Sequence, residues 1–198
     1  MKIIGLTGGI ASGKSTVSAY LKQKGAVIID ADAITHKLLE PNAALWLAYI
    51  GHFGRQYLRK DNTLDTRAIG KIVFASDKEK SWIDAIAQPI IKSAIELALA
   101  KAKGSNAKII ILDVPLLFET GWEKLADSTC LVYIDKKQQL ARLMQRNGYS
   151  EDEAMARIGA QMSMSAKRKL ADRIIDNSGT LKDTYRQADM LWEEWGRD

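Results

Sequence analysis

The chain has a single cysteine, Cys130, among its 198 residues. That excludes a disulfide framework and any zinc site built from several cysteines. No apolar run approaches the ~18 residues that a membrane span needs, so no spanning segment is expected. The opening Met1-Lys2-Ile3-Ile4-Gly5-Leu6-Thr7 carries one charge and an apolar stretch too short for a signal-peptide core, and a reducing cytoplasm is the expected setting. Also missing are the N-K-x-D motif with which GTPase switches read their base and the Lys/Arg-Gly-Phe-Gly-Phe pattern of RNA-stacking sheets. What is present is 46% apolar and 27% charged residues, enough for one folded domain with a sizeable core and unlike disordered or collagenous chains.

Basic residues outnumber acidic ones by 29 to 24, a net charge of +5. The surplus is local. Residues 136–173 hold nine basic side chains against four acidic ones, and the rest of the chain balances at 20 and 20. Composition reads this stretch as facing an anion, whether nucleic acid, a membrane or a small polyphosphate.

Five short apolar runs, at 2–7, 26–30, 108–114, 129–135 and 173–176, read as strands buried on both faces. Helical patterns separate them, which predicts an α/β fold with a doubly wound, five-stranded parallel sheet. The first helix, 14–24, stops at Gly25, a C′ residue. Leu140, Leu143 and Met144 mark the inner face of the helix after the fourth strand. Ser150-Glu151-Asp152-Glu153 reads as a capping box. Leu181, Tyr185, Ala188, Trp192 and Trp195 form one stripe on the last helix. Between the second and third strands lie 77 residues, 31–107, where a plain βαβ unit needs roughly 30 in all. Apolar patterns at 43–50, 68–74 and 82–100 predict an inserted helical subdomain. The expected organisation is one domain over 1–198: a core of 1–40 and 105–198, an insert of 41–104 and a helical lid at about 137–165.

Gly8-Gly9-Ile10-Ala11-Ser12-Gly13-Lys14-Ser15-Thr16 fits G-x-x-x-x-G-K-[ST] directly after a strand and at the start of a helix, the context of a P-loop. Glycines let successive N–H groups point into one concavity, and the helix N-terminus adds the positive end of its dipole. Lys14 is placed to reach the β- and γ-phosphates, Ser15 to ligate Mg²⁺ and Thr16 to meet the α-phosphate side. The expected ligand is a nucleoside triphosphate. The loop names no reaction, because ATPases, switches, motors and small-molecule kinases share it.

Asp30 and Asp32 follow the second strand, and ligands of open parallel sheets sit beyond the carboxyl ends of the strands. Two residues apart on an extended end, both carboxylates would face the same way. Either could position an acceptor hydroxyl and take its proton, or cap the helix through Ile34, Leu38 and Leu39. His36, one turn beyond Asp32, is a second acceptor-side candidate. The run Ile109-Ile110-Ile111-Leu112-Asp113 has the form of a Walker B strand whose Asp113 holds Mg²⁺. Arg142 and Arg146 share a helix face, as do Arg157 and Gln161 on the next helix. They are read either as phosphate-neutralising groups on a lid, with Asn147-Gly148 as hinge, or as a solvated face.

Taken together, these motifs resemble the dephospho-CoA kinases along nearly the whole chain. The likeness rests on the P-loop form from Leu6 to Ser15, on Asp30-Ala31-Asp32 and on Pro115-Leu116-Leu117-Phe118-Glu119. It also rests on Arg142-Leu143-Met144-Gln145-Arg146, on Ala156-Arg157-Ile158-Gly159-Ala160-Gln161-Met162 and on Asp172-Arg173-Ile174-Ile175-Asp176-Asn177. The resemblance implies a P-loop kinase fold and transfer of the ATP γ-phosphoryl to the ribose 3′-hydroxyl of dephospho-CoA. It implies Asp32 as base, with Lys14 and Arg142 as the other catalytic groups. Gly8, Gly9, Ala11, Ser12, Gly13, Ser15, Thr16, Arg146 and the adenine-side Asn177 would join Lys14 around ATP. Asp32, His36, Arg67, Pro115, Leu116, Glu119, Arg157 and Gln161 would meet the acceptor, and Ser15 and Asp113 the Mg²⁺. Trp46 and Trp82 either pack the insert or line a channel for the pantetheine arm. A monomer or weak homo-oligomer without nucleic-acid or membrane partners is expected. Two positions depart from the family pattern. Ala11 stands where glycine is common, an exchange suited to a residue of negative φ, and Gln88 precedes Pro89 where histidine is common. Nucleotide, shikimate or gluconate kinases are the alternative within the superfamily, and a regulatory NTPase is the alternative outside it. The long insert argues for a large acceptor.

Overall fold

The structure is a computed structural model and describes residues 1–197. The strands among them are β1 (Lys2–Thr7), β2 (Val27–Asp30), β3 (Ile109–Asp113), β4 (Ser128–Tyr133) and β5 (Arg173–Asp176). They form one sheet in the order β2-β3-β1-β4-β5. β1 runs parallel to β3 from Lys2↔Ile109 to Leu6↔Asp113, and parallel to β4 from Ile4↔Ser128 to Thr7↔Leu131. β4 is parallel to β5 from Cys130↔Arg173 to Tyr133↔Asp176. This register brings the loops after β1, β3, β4 and β5 to one edge of the sheet, where such folds bind ligands.

Alternation along each strand divides the core. Ile4 and Leu6, Ile109 and Ile111, and Cys130 and Val132 turn to one face. There they meet Val17 and Leu21 of α1 (Lys14–Gln23) and Ala188, Leu191 and Trp195 of a C-terminal helix, Leu181–Arg197. Each fully buried Leu or Ile side chain in this layer contributes roughly 1.5–3 kcal/mol. Gly5 points to the opposite face, where a Cβ would come 2.9 Å from Leu117, so that strand position takes no side chain. The thiol of Cys130 is wholly buried, which pushes its pKa up to about 12 and makes it an inert packing group.

The chain folds as two compact units. The first is Met1–Ile29 together with the chain from Lys101 onward; the second is Asp30–Ala100. The second therefore starts earlier than the expected insert. It holds α2 (Ala31–Leu38), α3 (Ala44–Phe53), α4 (Thr66–Ala75), α5 (Asp77–Trp82) and most of α6 (Gln88–Lys103). Its own core is Trp46, Phe53, Leu64 and Ile69, and Leu39, just after α2, packs on that cluster. Trp46 donates from Nε1 to the Asn62 carbonyl at 2.9 Å, and Trp82 lies edge-on to Tyr49 and Phe53. Both tryptophans are packing residues of this unit. The single helix expected over 82–100 is interrupted by a π-helical turn at Ile83–Ala87.

In the first unit α7 (Lys136–Asn147), α8 (Glu151–Gly159) and α9 (Met164–Leu170) join β4 to β5, and the Leu181–Arg197 helix is α10. Gly25 has φ +105° after the last turn of α1, and Ser150 with Glu153 makes the reciprocal capping box of α8. Two helix faces depart from their sequence reading. Gln139 and Leu143 are the buried residues of α7, with Leu140 and Met144 only half-buried. α10 buries Thr184 and Leu191 beside Ala188 and Trp195 and leaves Leu181 exposed. In both cases a polar residue with a structural hydrogen bond has displaced an apolar one from the inner face, because Gln139 and Thr184 serve the loop described next.

Candidate active site

The loop between β1 and α1 is packed closely enough that each of its glycines has its own reason. A Cβ on Gly8 would strike the Ser12 hydroxyl, and it would sit 3.1 Å from the Val132 carbonyl. On Gly9 it would lie 2.7 Å from Gln139 Nε2 and 2.8 Å from Met164 Sδ. Gly13 has φ +89°, and a Cβ there would collide with the Asn177 amide. Ala11 also takes positive φ, +60°. The expectation of a negative φ at that position is thus corrected: alanine occupies a left-handed site and carries the strain of its Cβ.

The backbone of the loop is held from three places in the first unit. Asn177, just after β5, donates from Nδ2 to the Ser12 carbonyl at 2.7 Å and accepts from Thr184 Oγ1 at 2.7 Å. Gln139 of α7 donates to the Ile10 carbonyl at 2.9 Å. From the link between α8 and α9 and the first residue of α9, Gln161 Oε1 accepts from the Ile10 amide at 2.8 Å and Met164 Sδ accepts from the Gly9 amide at 3.3 Å. The Ser12 amide bonds to the Gly9 carbonyl at 3.0 Å. Among the described residues no protein group accepts from the amides of Ala11, Gly13, Lys14 and Ser15. These donors sit at the start of α1, where N–H groups and the helix dipole favour an anion. The Ser12 hydroxyl is likewise buried and without a partner among the described residues.

Lys14 forms an ion pair with Asp113, a nine-tenths buried carboxylate at the end of β3. Ser15 is exposed beside it in sequence. No cluster of three or more His, Cys, Asp or Glu able to hold a metal exists among the described residues. One carboxylate and one hydroxyl next to a phosphate cradle nevertheless fit Mg²⁺, which keeps several waters and completes its shell with substrate phosphates.

Arg142 of α7 donates to the Asn177 carbonyl at 2.9 Å and stands 4.0 Å from where a Gly13 Cβ would be. Other expected site residues are engaged elsewhere. Arg146 bonds its neighbour Asn147, and Arg157 lies 3.9 Å from the ring centre of Tyr149 while donating to the Glu153 carbonyl. Asn177 uses its side chain to fasten the loop and Thr184. Glu119 accepts from the Met162 amide at 3.0 Å and from Lys167 at 2.9 Å. The Pro115 carbonyl accepts from Thr7 Oγ1 and Lys167 Nζ, while Leu116 stays exposed. Lys167 is fully buried. Burial pulls its pKa down, and Glu119 opposes that fall. Nothing in the run Ser165-Ala166-Lys167-Arg168-Lys169 marks its middle lysine as the internal one, and Gln139 and Met164 carry no motif signal either.

In the second unit, Asp30 is the N-cap of α2 and accepts from the Ala33 amide at 3.0 Å. Asp32 lies in the first turn of that helix, not on an extended strand end, so the two carboxylates do not share the strand-type alignment read from the sequence. A first-turn position favours negative charge through the helix dipole. His36 is exposed in the last turn of α2. Arg67 and Lys71 line one side of α4 along a shallow hollow of about 630 Å³ with Tyr57 and Asp65. Asp65 caps α4 through the Ala68 amide. Gln88 opens α6, and its Oε1 is buried without a partner among the described residues.

Comparison with known proteins agrees with this geometry. The sequence model of the dephospho-CoA kinase family matches residues 2–183. A dephospho-CoA kinase of Symbiobacterium thermophilum is 45% identical over 192 residues, covering 97% of this chain and 80% of that one. Among solved structures, one from Thermus thermophilus superposes with a TM-score of 0.82 at 32% identity, over 98% of this chain and 97% of the other. The dephospho-CoA kinase of Campylobacter jejuni gives 0.73 at 29% identity with the same coverage of both.

Proposed function

The chain belongs to the dephospho-CoA kinase family, and we propose from that premise how its residues carry the family reaction, ATP-dependent phosphorylation of dephospho-CoA in coenzyme A synthesis. The observation that carries the assignment is the set of loop amides, at Ala11, Gly13, Lys14 and Ser15, left without protein acceptors at the start of α1. They take the ATP phosphates. Lys14 exchanges Asp113 for phosphate oxygens and stabilises charge on the moving γ-phosphoryl. Asp113, released from the lysine, and Ser15 would hold Mg²⁺, which when bound would neutralise phosphate charge. Arg142, beside Gly13, adds a second cationic donor, a guanidinium, as charge spreads over the phosphoryl oxygens.

Asp32 is the carboxylate assigned to the ribose 3′-hydroxyl of the acceptor. Asp30 caps α2 through the Ala33 amide, and Asp32, on the first turn of that helix, orients the hydroxyl and receives its proton. Arg67, with Lys71 one turn on, supplies cations for an acceptor phosphate, and His36 is a polar neighbour of Asp32 on α2. No helix among the described residues is long and apolar enough to cross a membrane, and the buried thiol of Cys130 suits a reducing cytoplasm.

The test is ATP consumption with dephospho-CoA, adenosine, AMP and shikimate offered separately. Turnover with dephospho-CoA alone is expected. Turnover with AMP alone would overturn the acceptor assignment.

A further inference from the structure

Gln161 enters the site through its resemblance to a lid residue, yet its side chain bonds the phosphate loop itself. The first two amides of the loop that could meet a ligand, Gly9 and Ile10, are both taken by side chains from one short segment, Met164 and Gln161. The approach is so close that Gly9 has no room for a Cβ against Met164. The segment is in turn anchored. Glu119 accepts from the Met162 amide, and its other oxygen takes the ammonium of the buried Lys167. That ammonium also reaches the Pro115 carbonyl at 2.7 Å, which Thr7, the residue before the loop, holds at 3.0 Å. Ser163 caps α9 by accepting from the Ala166 amide at 3.2 Å, so the segment enters its helix in a defined direction.

We propose that residues 161–167 form a strap that sets the conformation of the phosphate loop, with Gln161 as a positioning residue and the Lys167–Glu119 pair as its anchor. By satisfying Gly9 and Ile10, the strap leaves the amides from Ala11 onward as the ones presented to phosphate. It also explains a buried lysine that a packed apolar residue would otherwise replace at little cost, since buried ion pairs are weak sources of stability. Gln161 acts on ATP through the loop and not on the acceptor. A cavity of about 320 Å³ bordered by Gln161, Gln139, Met155 and Met164 leaves room for a replacement side chain.

The proposal rests on residues 8–16 being the ATP site. In Gln161→Leu the Ile10 amide loses its acceptor. Equilibrium binding of ATP is expected to weaken about tenfold, as for one lost hydrogen bond to a partly buried backbone donor. KM for dephospho-CoA should stay within about twofold of wild type, and the melting temperature should be little changed. Unchanged ATP affinity, or a rise in the dephospho-CoA KM alone, would overturn the strap and return Gln161 to the acceptor. Should Gln161→Leu fail to fold, Glu119→Gln replaces it: ATP affinity about threefold weaker supports the anchor, and wild-type affinity refutes it. Wild-type protein that bound no ATP would refute the loop assignment instead, a result distinct from either.

Discussion

The phosphate loop and the acceptor-side residues of α2 and α4 are built on opposite plans. Around the loop, Asn177, Gln139, Gln161 and Met164 fix backbone groups from elements more than a hundred residues away in sequence. In the second unit, the capping bonds at the starts of α2 and α4 are local: Asp30 accepts from Ala33 and Asp65 from Ala68, each three residues along. Asp32, His36 and Arg67 are exposed. A triphosphate is met by preorganised backbone donors, which cost no reorganisation when charge develops. In the proposed reaction the acceptor is met by single side chains on helix turns. On the proposed assignment, function in the first region depends on many residues that never touch substrate, and in the second on the few that do.

The sharpest way to break that contrast is to remove one charge from each side. Lys14→Ala should lower kcat about 10³-fold and weaken ATP binding as well, because the lysine meets phosphate in both ground and transition states. Asp32→Asn should lower kcat about 10²-fold with ATP affinity and melting temperature near wild type, the signature of a group needed only for proton transfer. Steady-state kinetics beside equilibrium ATP binding separates the two. Equal losses in kcat and ATP affinity for Asp32→Asn would make it part of the same cooperative structure as the loop and dissolve the contrast.

That contrast also decides what could be read from the sequence. Strand runs, the helix starts at Lys14 and Glu151 and the motif of residues 8–16 were legible because periodicity, capping and glycine spacing are local properties. Which of Asp30 and Asp32 caps α2 was decidable only once the helix start was known, since a shift of two residues exchanges them. The strap was not legible. Lys167 lies in the basic stretch that composition reads as facing an anion, and a methionine sulfur accepting from Gly9 has no sequence signature. Gln139 and Thr184 misled the helix-face readings for the same reason, being polar residues whose partners lie far along the chain. Inserted helices were recognisable from the length of the β2–β3 interval, but the place of α2 in that unit depends on Leu39 packing with Trp46, Phe53 and Ile69, a tertiary fact.

Acid sharpens the comparison at a smaller scale. Asp172 accepts from the Thr129 amide and hydroxyl, both at 2.8 Å, and so staples β4 to the start of β5. Asp65 only caps α4. Backbone hydrogen bonding first, and a hydroxyl or arginine neighbour after it, hold both carboxyls below their ordinary pKa. A depressed folded pKa gives stability that is fully present above the unfolded value of about 3.9 and is lost as pH falls through the folded one. Melting temperature should therefore drop below about pH 4. Asp172→Asn should be less stable than wild type at neutral pH and should flatten that acid limb. An unchanged acid limb in Asp172→Asn would show that the staple contributes no pH-dependent stability to the sheet.

The smallest effect concerns Ala11, inside the most constrained part of the molecule. Its φ of +60° places a Cβ in the left-handed region, which costs an L-residue roughly 1–2 kcal/mol relative to glycine. Glycine would relieve that strain but make the unfolded chain freer, at about 0.4–1 kcal/mol. The balance predicts that Ala11→Gly is more stable by about 0.5–1 kcal/mol, read as a rise in melting temperature of a few degrees. ATP affinity should be unchanged, because the strap, Gln139 and Asn177 hold the loop on either side whatever occupies position 11. A stabilised variant that nevertheless bound ATP more weakly would show that alanine itself, by stiffening the loop, supplies part of the order that those long-range bonds would otherwise supply alone.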